Sequence, residues 1–573
     1  MIDIVVKQKT LFIKAEYNKN IVTFMRSRPV RVWNVQSRMW ELPESDLDLF
    51  LQNIEGLEYK IKYEDDQNTD NLPEWYVFKT TPFQHQKEGI CYGLRNSKFL
   101  LADEQGLGKT KTTLDLSVIL KKEEQLKHVL IITCVNSLKY NWRMEVSKHT
   151  DETGYILGTR FTKKGNEYIG SNEDRLKDVI NLENNDNYFI ITNIETIRYN
   201  KKIQVPLKTK KNGVQRFKNK TIFPIVEELQ KHIKQGNISM IIVDEIHRCK
   251  DSNSLQGKAL SALTCDHQIA LTGTPLMNNP MDLYIILKWL GFEKHSFMSF
   301  QNHYCIKGGF GQHQIIGYKN LPELQSIVDK HMLRRLKQDV LDLPEKIYIN
   351  DYVEMSKTQI KLYEDVLNSI VNDLDRIKLS PNPLTMLIRL RQVTGNPCLV
   401  TSKKVDNPKF ERMLEIVEDV VEAGEKCLVF SNWTNVINPA FDFLSKFNPA
   451  LYTGENVKQR ESEKQRFMTD PSCKVLLGTI DAMGTGLTLT AATNVIFLDE
   501  PWNRAKKDQC EDRVHRIGTS KSPNIHTLIC KGTIDERINN IVQRKGKMSD
   551  IIIDKEEDIY KNPKILNYLL SIT

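Results

Sequence analysis

From about Thr80 onward, short apolar runs alternate with longer stretches of helical pattern. The first series is Phe99–Ala102, Val129–Thr133, Tyr188–Thr192, Met240–Val243 and Ile269–Thr272. A second series is Cys427–Ser431, Val475–Thr479, Val495–Asp499 and Ile525–Ile529. Each run is apolar on both faces, as a strand must be when helices cover both sides of a parallel sheet. The pattern predicts two separate α/β sheets. Between them, about Met281–Ser402, a charged and mainly helical pattern predicts exposed helical protrusions. Residues 1–60 carry short β-like runs with aromatics, at Leu11–Ile13 and Val30–Trp33 and around Trp40. A polar, acidic stretch at Tyr63–Asn71 reads as a linker. The expected division is a small β-rich domain at 1–60, a linker at 61–79, a first lobe at 80–290, protrusions and an inter-lobe linker at 291–405, a second lobe at 406–545 and a tail at 546–573.

With 573 residues the chain exceeds one hydrophobic core, and 40% hydrophobic with 27% charged residues is ordinary for a globular protein. No apolar run is long enough for a bilayer and no signal-peptide pattern opens the chain, so no membrane partner is expected and the expected location is a bacterial or viral-host cytoplasm. The ten cysteines form no C-x-x-C pair, which argues against zinc and against a disulfide framework. Net charge adds a sharper hint. It is +8 overall, and Lys201–Lys220 alone holds eight Lys or Arg and no acid, including Lys208, Lys210 and Lys211. A polyanionic track would meet such a stretch, and a solvated loop would also carry it.

The candidate chemistry starts behind the run Phe99–Ala102. Asp103-Glu104-Gln105-Gly106-Leu107-Gly108-Lys109-Thr110 precedes a helical stretch. Glycines let backbone N–H groups curl around a phosphate, and the helix N-terminus adds partial positive charge. Lys109 supplies charge to the β- and γ-phosphates, and the Thr110 hydroxyl is an oxygen donor for Mg²⁺. Asp103 stands where the common pattern has Gly. At the end of Met240–Val243, Asp244 is placed to hold Mg²⁺ and Glu245 to polarise a water. Thr272-Gly273-Thr274 closes another run and is a candidate γ-phosphate sensor. In the second series Arg513 and Arg516 share a face if their stretch is helical, and a guanidinium there suits a transferring phosphoryl group.

In this order the motifs resemble those of the Swi/Snf-related ATPases of helicase superfamily two, from about Pro82 to Arg537. Phe83–Gly89 is similar to the family's adenine-contacting segment, with Gln86 as reader. Asn136–Trp142 and Ile191–Thr196 resemble DNA-contacting motifs. The most branch-specific segment is Met332–Val340 with Leu343-Pro344, supported by Leu390-Arg391-Gln392. Gly484–Ala492, Asp499–Asn503 and His515–Gly518 also match, while Ile246, Arg504 and Thr519 depart from the usual residues. Tyr17, Phe24, Trp33, Trp40 and Pro43 are spaced as in the HARP module of annealing helicases, or are the core of a small β-rich cap.

The resemblance implies two RecA-like parallel-sheet lobes with helical protrusions and a small N-terminal β-rich domain. It implies ATP with Mg²⁺ as cofactors, held by Gln86, Asp103, Gly106, Leu107, Gly108, Lys109, Thr110 and Gly486, with Asp244 and Glu245 and the arginines Arg513 and Arg516 as the hydrolytic set. Closure of the lobes on ATP, then release, would move the protein along double-stranded or forked DNA. Its implied contacts are Ser137, Asn141, Thr192, Thr274, Thr479 and Trp502, joined by the basic stretch. The expected activity is a DNA-dependent ATPase that remodels or reanneals branched DNA, acting as a monomer. Displacement of proteins from DNA, strand separation and a catalytically silent clamp are the rivals.

Overall fold

A computed structural model describes residues 2–7, 10–15, 18–28, 31–34, 39–43, 46–54, 57, 59–63, 72–136, 138–206, 217–249, 251–252, 254–273, 280–308, 314–341, 343–372, 384–403, 405–456, 459–484, 487, 489–502, 504–516, 519, 521–544 and 569. Two compact units divide the chain: Met1–Glu104 with Gly108–Arg335, and Gln105–Leu107 with Leu336–Thr573. Among the described residues no helix is long and apolar enough to cross a membrane.

The first unit opens with a small sheet of β1 (Ile2–Lys7), β2 (Thr10–Lys14), β3 (Val32–Asn34), β4 (Met39–Pro43) and β5 (Tyr59–Tyr63), in the order β3-β4-β2-β1-β5. Ile2, Ile4, Leu11 and Ile13 alternate onto one buried face, as period-two side chains do. Phe24, Met25 and Phe50, from the helices Lys19–Ser27 and Leu47–Asn53, cover that face. Of the aromatics singled out above, Phe24 lies in this core, Trp40 packs at its margin and Trp33 is 45% exposed. Tyr17 and most of the acidic stretch 63–71 fall outside the described residues.

The main sheet of this unit uses β6 (Lys98–Leu101), β7 (His128–Thr133), β8 (Gly154–Ile156), β9 (Phe189–Asn193), β10 (Ile238–Asp244), β11 (His267–Leu271) and β12 (Met332–Leu333). All pairings are parallel, in the order β12-β6-β11-β10-β7-β9-β8. Side chains on its two faces enter two separate cores, Leu130, Ile132 and Ile241 on one and Val129, Ile131 and Ile242 on the other. The basic stretch begins and ends as an antiparallel hairpin, Lys201–Pro206 with Phe217–Ile222. Residues 207–216, with Lys208, Lys210 and Lys211, lie outside the described residues.

The second unit is built on β13 (Ile347–Val353), β14 (Cys427–Ser431), β15 (Ala450–Tyr452), β16 (Val475–Thr479), β17 (Asn494–Phe497) and β18 (Asn524–Cys530). They form one parallel sheet in the order β13-β18-β17-β14-β16-β15. The stretch 281–402 is therefore less uniformly helical than its pattern predicts. It contains the hairpin Cys305–Gly308 with Gln314–Tyr318, and it supplies an edge strand to each large sheet, β12 and β13. Nine of the ten cysteines are buried and all are free.

Two buried lysines of the second unit, Lys409 and Lys507, each pair with a carboxylate. The Lys409 ammonium, fully buried, lies 2.6 Å from Asp535 Oδ2 and donates to the Leu498 carbonyl at 2.8 Å. Asp535 also accepts from Thr394 Oγ1 at 2.8 Å. This one pair ties together the helices Leu384–Gly395, Pro408–Glu422 and Ile534–Arg544. Lys409→Met should destabilise the second unit by about 3–5 kcal/mol, because it leaves a buried carboxylate alone. Combining it with Asp535→Leu should restore most of that loss in a denaturant melt, and an additive double loss would contradict the pairing.

Candidate nucleotide site

The phosphate loop lies between β6 and the helix Lys109–Glu123. Gly106 and Gly108 have φ of +88° and +79°, which only glycine adopts without strain. A Cβ on Gly108 would also sit 2.2 Å from Gln86 Nε2. That clash places the expected adenine reader directly against the loop, with Gln86 Oε1 accepting from the Phe83 N–H at 3.0 Å. Lys109 Nζ donates to the carbonyls of Asp103 and Glu104, at 2.7 and 3.3 Å. Its ammonium therefore hangs over the curled backbone, and Thr110 opens the helix beside it.

Asp103 is buried, and Arg335 is its partner. Arg335 Nε and Nη2 reach the two carboxylate oxygens at 3.0 and 2.6 Å, a bidentate pair. The same guanidinium donates from Nη1 to the His85 carbonyl on the Gln86 helix. The backbone repeats the tie, with Ala102 N–H on Leu333 O at 2.8 Å and Glu104 N–H on Arg335 O at 3.0 Å. Gly89 leaves room for this, since a Cβ there would lie 3.0 Å from Arg335 Nη2. No role was expected of Arg335. The available signal is Asp103 itself, an acid in a phosphate loop that needs a cation to be buried.

The acid box closes β10, two strands from β6 in the same sheet and at the same C-terminal edge. Asp244 pairs in register with Leu271 on β11 and Thr133 on β7. Its Oδ2 accepts from Trp142 Nε1 at 2.9 Å. Burial, then the Glu245 charge, push the Asp244 carboxyl up to about 7, against the Trp142 hydrogen bond and the charge of Lys109. Glu245 sits at φ +55°, a left-handed conformation that costs a non-glycine residue about 1–3 kcal/mol. Its buried Oε2 accepts no hydrogen bond and lies 3.3 Å from His247 Nδ1, which in turn meets Thr272 Oγ1 at 2.9 Å. A strained carboxylate with an open oxygen suits a base awaiting a water. Thr274 lies outside the described residues.

In the second unit the helix Arg504–Glu511 stops short of both arginines. They lie in the turns that follow, not on one helical face, because the N–H groups of Arg513 and Val514 bond three residues back, to Cys510 and Glu511. Arg513 is 1% exposed and donates to the carbonyls of Gln509, Leu487 and Gly484 at 2.8, 2.9 and 3.1 Å. It thereby holds two carbonyls between the helix Ile480–Met483 and β17. Arg516 is half-buried, with Nε on Asp512 O at 2.7 Å. Gly486 falls outside the described residues.

The expected DNA contacts divide. Thr192 is the penultimate residue of β9 and Thr479 the last of β16, both buried at the C-terminal edges of their sheets. Asn141 is half-buried on the helix Leu138–His149, and Ser137 is outside the described residues. Trp502 is a core residue instead: it is 7% exposed, and the Arg391 guanidinium lies 5.0 Å from its ring and 4.5 Å from that of Trp433. Arg391 is fixed there by Glu500 O at 2.6 Å, so the aromatic is occupied by a cation of its own unit. Among the described residues no three His, Cys, Asp or Glu are grouped to hold a metal. An ion at Thr110 and Asp244 would therefore be held in part by phosphate oxygens, as Mg²⁺ commonly is.

The chain is similar to several known proteins. Residues 17–399 match the SNF2-related domain and residues 408–518 the helicase conserved C-terminal domain. A putative ATP-dependent helicase/translocase of Bacillus subtilis is 26% identical over 85% of this chain and 50% of its own length. The human DNA annealing helicase and endonuclease ZRANB3 is 27% identical over 85% of this chain and 41% of its own. The chain thus spans half or less of the length of these curated relatives. A Sulfolobus solfataricus SWI2/SNF2 ATPase core in complex with dsDNA is similar at 24% identity, over 88% of this chain and 100% of that one, with a TM-score of 0.36.

The Asp244 shift has a testable sign. A carboxyl raised from its ordinary value to about 7 makes the ligand-free fold lose stability as pH rises from about 4 through 7. Asp244→Asn should therefore raise the melting temperature of the nucleotide-free protein by several degrees at pH 8 and change it little at pH 4.5. An equal shift at both pH values would contradict a carboxyl held up by burial.

Proposed function

The chain belongs to the SNF2-related family, and from that premise we propose that it is an ATP-driven translocase on double-stranded DNA that remodels or reanneals branched DNA in replication, recombination or repair. The observation that carries the reading is the shared edge of one parallel sheet. It gathers the loop Asp103–Gly108, Lys109 and Thr110 from β6 with Asp244 and Glu245 from β10. Ligands of open α/β sheets sit at that edge.

In this reading the loop N–H groups and Lys109 bind the β- and γ-phosphates, and Gln86 contacts the base. Thr110 and Asp244 are the protein oxygens for Mg²⁺, which would neutralise charge on the triphosphate. Glu245 takes a proton from water as the water oxygen bonds to the γ-phosphorus, and the bond to the ADP oxygen breaks. Ion binding would also remove the burial penalty on Asp244, so the residues present fit the group.

Support for duplex DNA comes from charge and from the relatives' names. The hairpin Lys201–Ile222 leaves Lys201, Lys202 and Lys220 exposed. Contacts of that type are to phosphates and are not sequence-specific. Support for branched DNA comes from the N-terminal sheet. Trp33 stands on its edge strand, half-exposed, with its ring 5.0 Å from that of Trp40. An exposed ring pair is a stacking platform for an unpaired base.

Two assays test this. ATP should drive release of a third strand from a triplex placed ahead of the protein on a duplex, and Glu245→Gln should abolish it. Trp33→Ala should leave that release unchanged and reduce regression of a model fork severalfold. No triplex release by the wild type contradicts the translocase; unchanged fork regression by Trp33→Ala contradicts the role given to the N-terminal sheet.

A further inference from the structure

The helices Gln84–Arg95 and Lys109–Glu123 approach closely along two glycines. A Cβ on Gly93 would lie 2.2 Å from Leu116 Cδ2. One on Gly89 would lie 2.8 Å from Thr112 Cγ2 and 3.0 Å from Arg335 Nη2. The first helix carries Gln86 in its first turn, and the second opens at Lys109. Arg335 therefore stands where the expected base reader and the phosphate-loop helix meet. It comes from a third element, the chain just past β12.

Its guanidinium reaches both sides. Nε and Nη2 hold the two oxygens of Asp103, the first residue of the loop, at 3.0 and 2.6 Å. Nη1 donates to the carbonyl of His85, one residue before Gln86, and lies 3.4 Å from Glu88 Oε2. Gln86 is buried, its Oε1 is held by the Phe83 N–H, and its Nε2 stands against Gly108. The place of the Gln86 amide is thus set from two directions, by its own helical turn and, through Arg335, by the loop. A guanidinium is a planar fork that spans such a set of acceptors, whereas an ammonium is a point charge on a flexible stem. A side chain that reads a ligand by hydrogen bonds works only when held within about 0.5 Å of its productive place.

We propose that Arg335 is a positioning residue for base selection: by tying Asp103 to the His85 carbonyl it sets the place of the Gln86 amide, and with it the preference for adenine. The inference rests on the ATPase reading given above and adds to it a residue that acts through others. Its signature is a loss of discrimination between nucleotides, not a general loss of hydrolysis.

The test measures hydrolysis of ATP and of GTP, with blunt duplex present, by the full chain as wild type, Arg335→Lys and Asp103→Asn. The wild type should favour ATP by about a hundredfold or more in kcat/KM. Arg335→Lys should raise the KM for ATP about tenfold with kcat within about twofold, leave GTP nearly unchanged, and so lower the ratio about tenfold. Asp103→Asn keeps the shape of the loop and weakens the anchor of Arg335, so it should lower the ratio in the same direction. It carries the test if Arg335→Lys has no cooperative melt. A merely structural arginine would cost active protein, and both nucleotides would then fall together. Equal losses for ATP and GTP, or an unchanged ratio, overturn the inference and leave the ATPase reading standing. A wild type that hydrolyses both alike overturns it too, since there is then no selection to set. A wild type that hydrolyses neither removes the ATPase reading, and the inference with it.

Discussion

The ion pair of Arg335 with Asp103 fixes where the phosphate loop begins. Its guanidinium holds both oxygens of the loop's first residue and the carbonyl of His85 on the helix that carries Gln86. The constraint behind it is general to this chain. Parallel strands covered by helices on both faces gather polar groups at their C-terminal edges, where water is scarce. A charge left there needs a partner within reach. Lys409 with Asp535 and Lys507 with Glu500 meet that requirement in the second unit, and Arg391, between two tryptophans, lies 3.5 Å from Asp499 Oδ1.

The groups that do not meet it stand out by contrast. Asp244 is pushed towards its neutral form, and Glu245 is strained with a buried oxygen that accepts no hydrogen bond. Both belong to the first unit, and both are of the sign that a metal ion would complement. Stability withheld at a site is stability returned on binding.

Much of this was legible in the residues. Runs that are apolar on both faces have one structural use, and nine of them became central strands with ends within about two residues of their pattern. The local geometry of glycine spacing and strand-end acids was equally legible: Gly106 and Gly108 take positive φ, and Asp244 ends β10. Edge strands were not. β12 is two residues long, and β13 exposes Ile347, Tyr348 and Tyr352, so neither shows a buried run. Pairings across long sequence separations were invisible as well: Arg335 and Asp103 are 232 residues apart. Trp502 shows the opposite error. Its motif suggested a surface contact, and the neighbouring Arg391 turned it into core.

The most direct test of the account is the steady-state ATPase rate with and without a blunt duplex, with Glu245→Gln as the control. Hydrolysis that is slow alone, rises at least tenfold with duplex and vanishes in the variant is the predicted result. A rate that is unchanged by duplex, or that survives in Glu245→Gln, would contradict it.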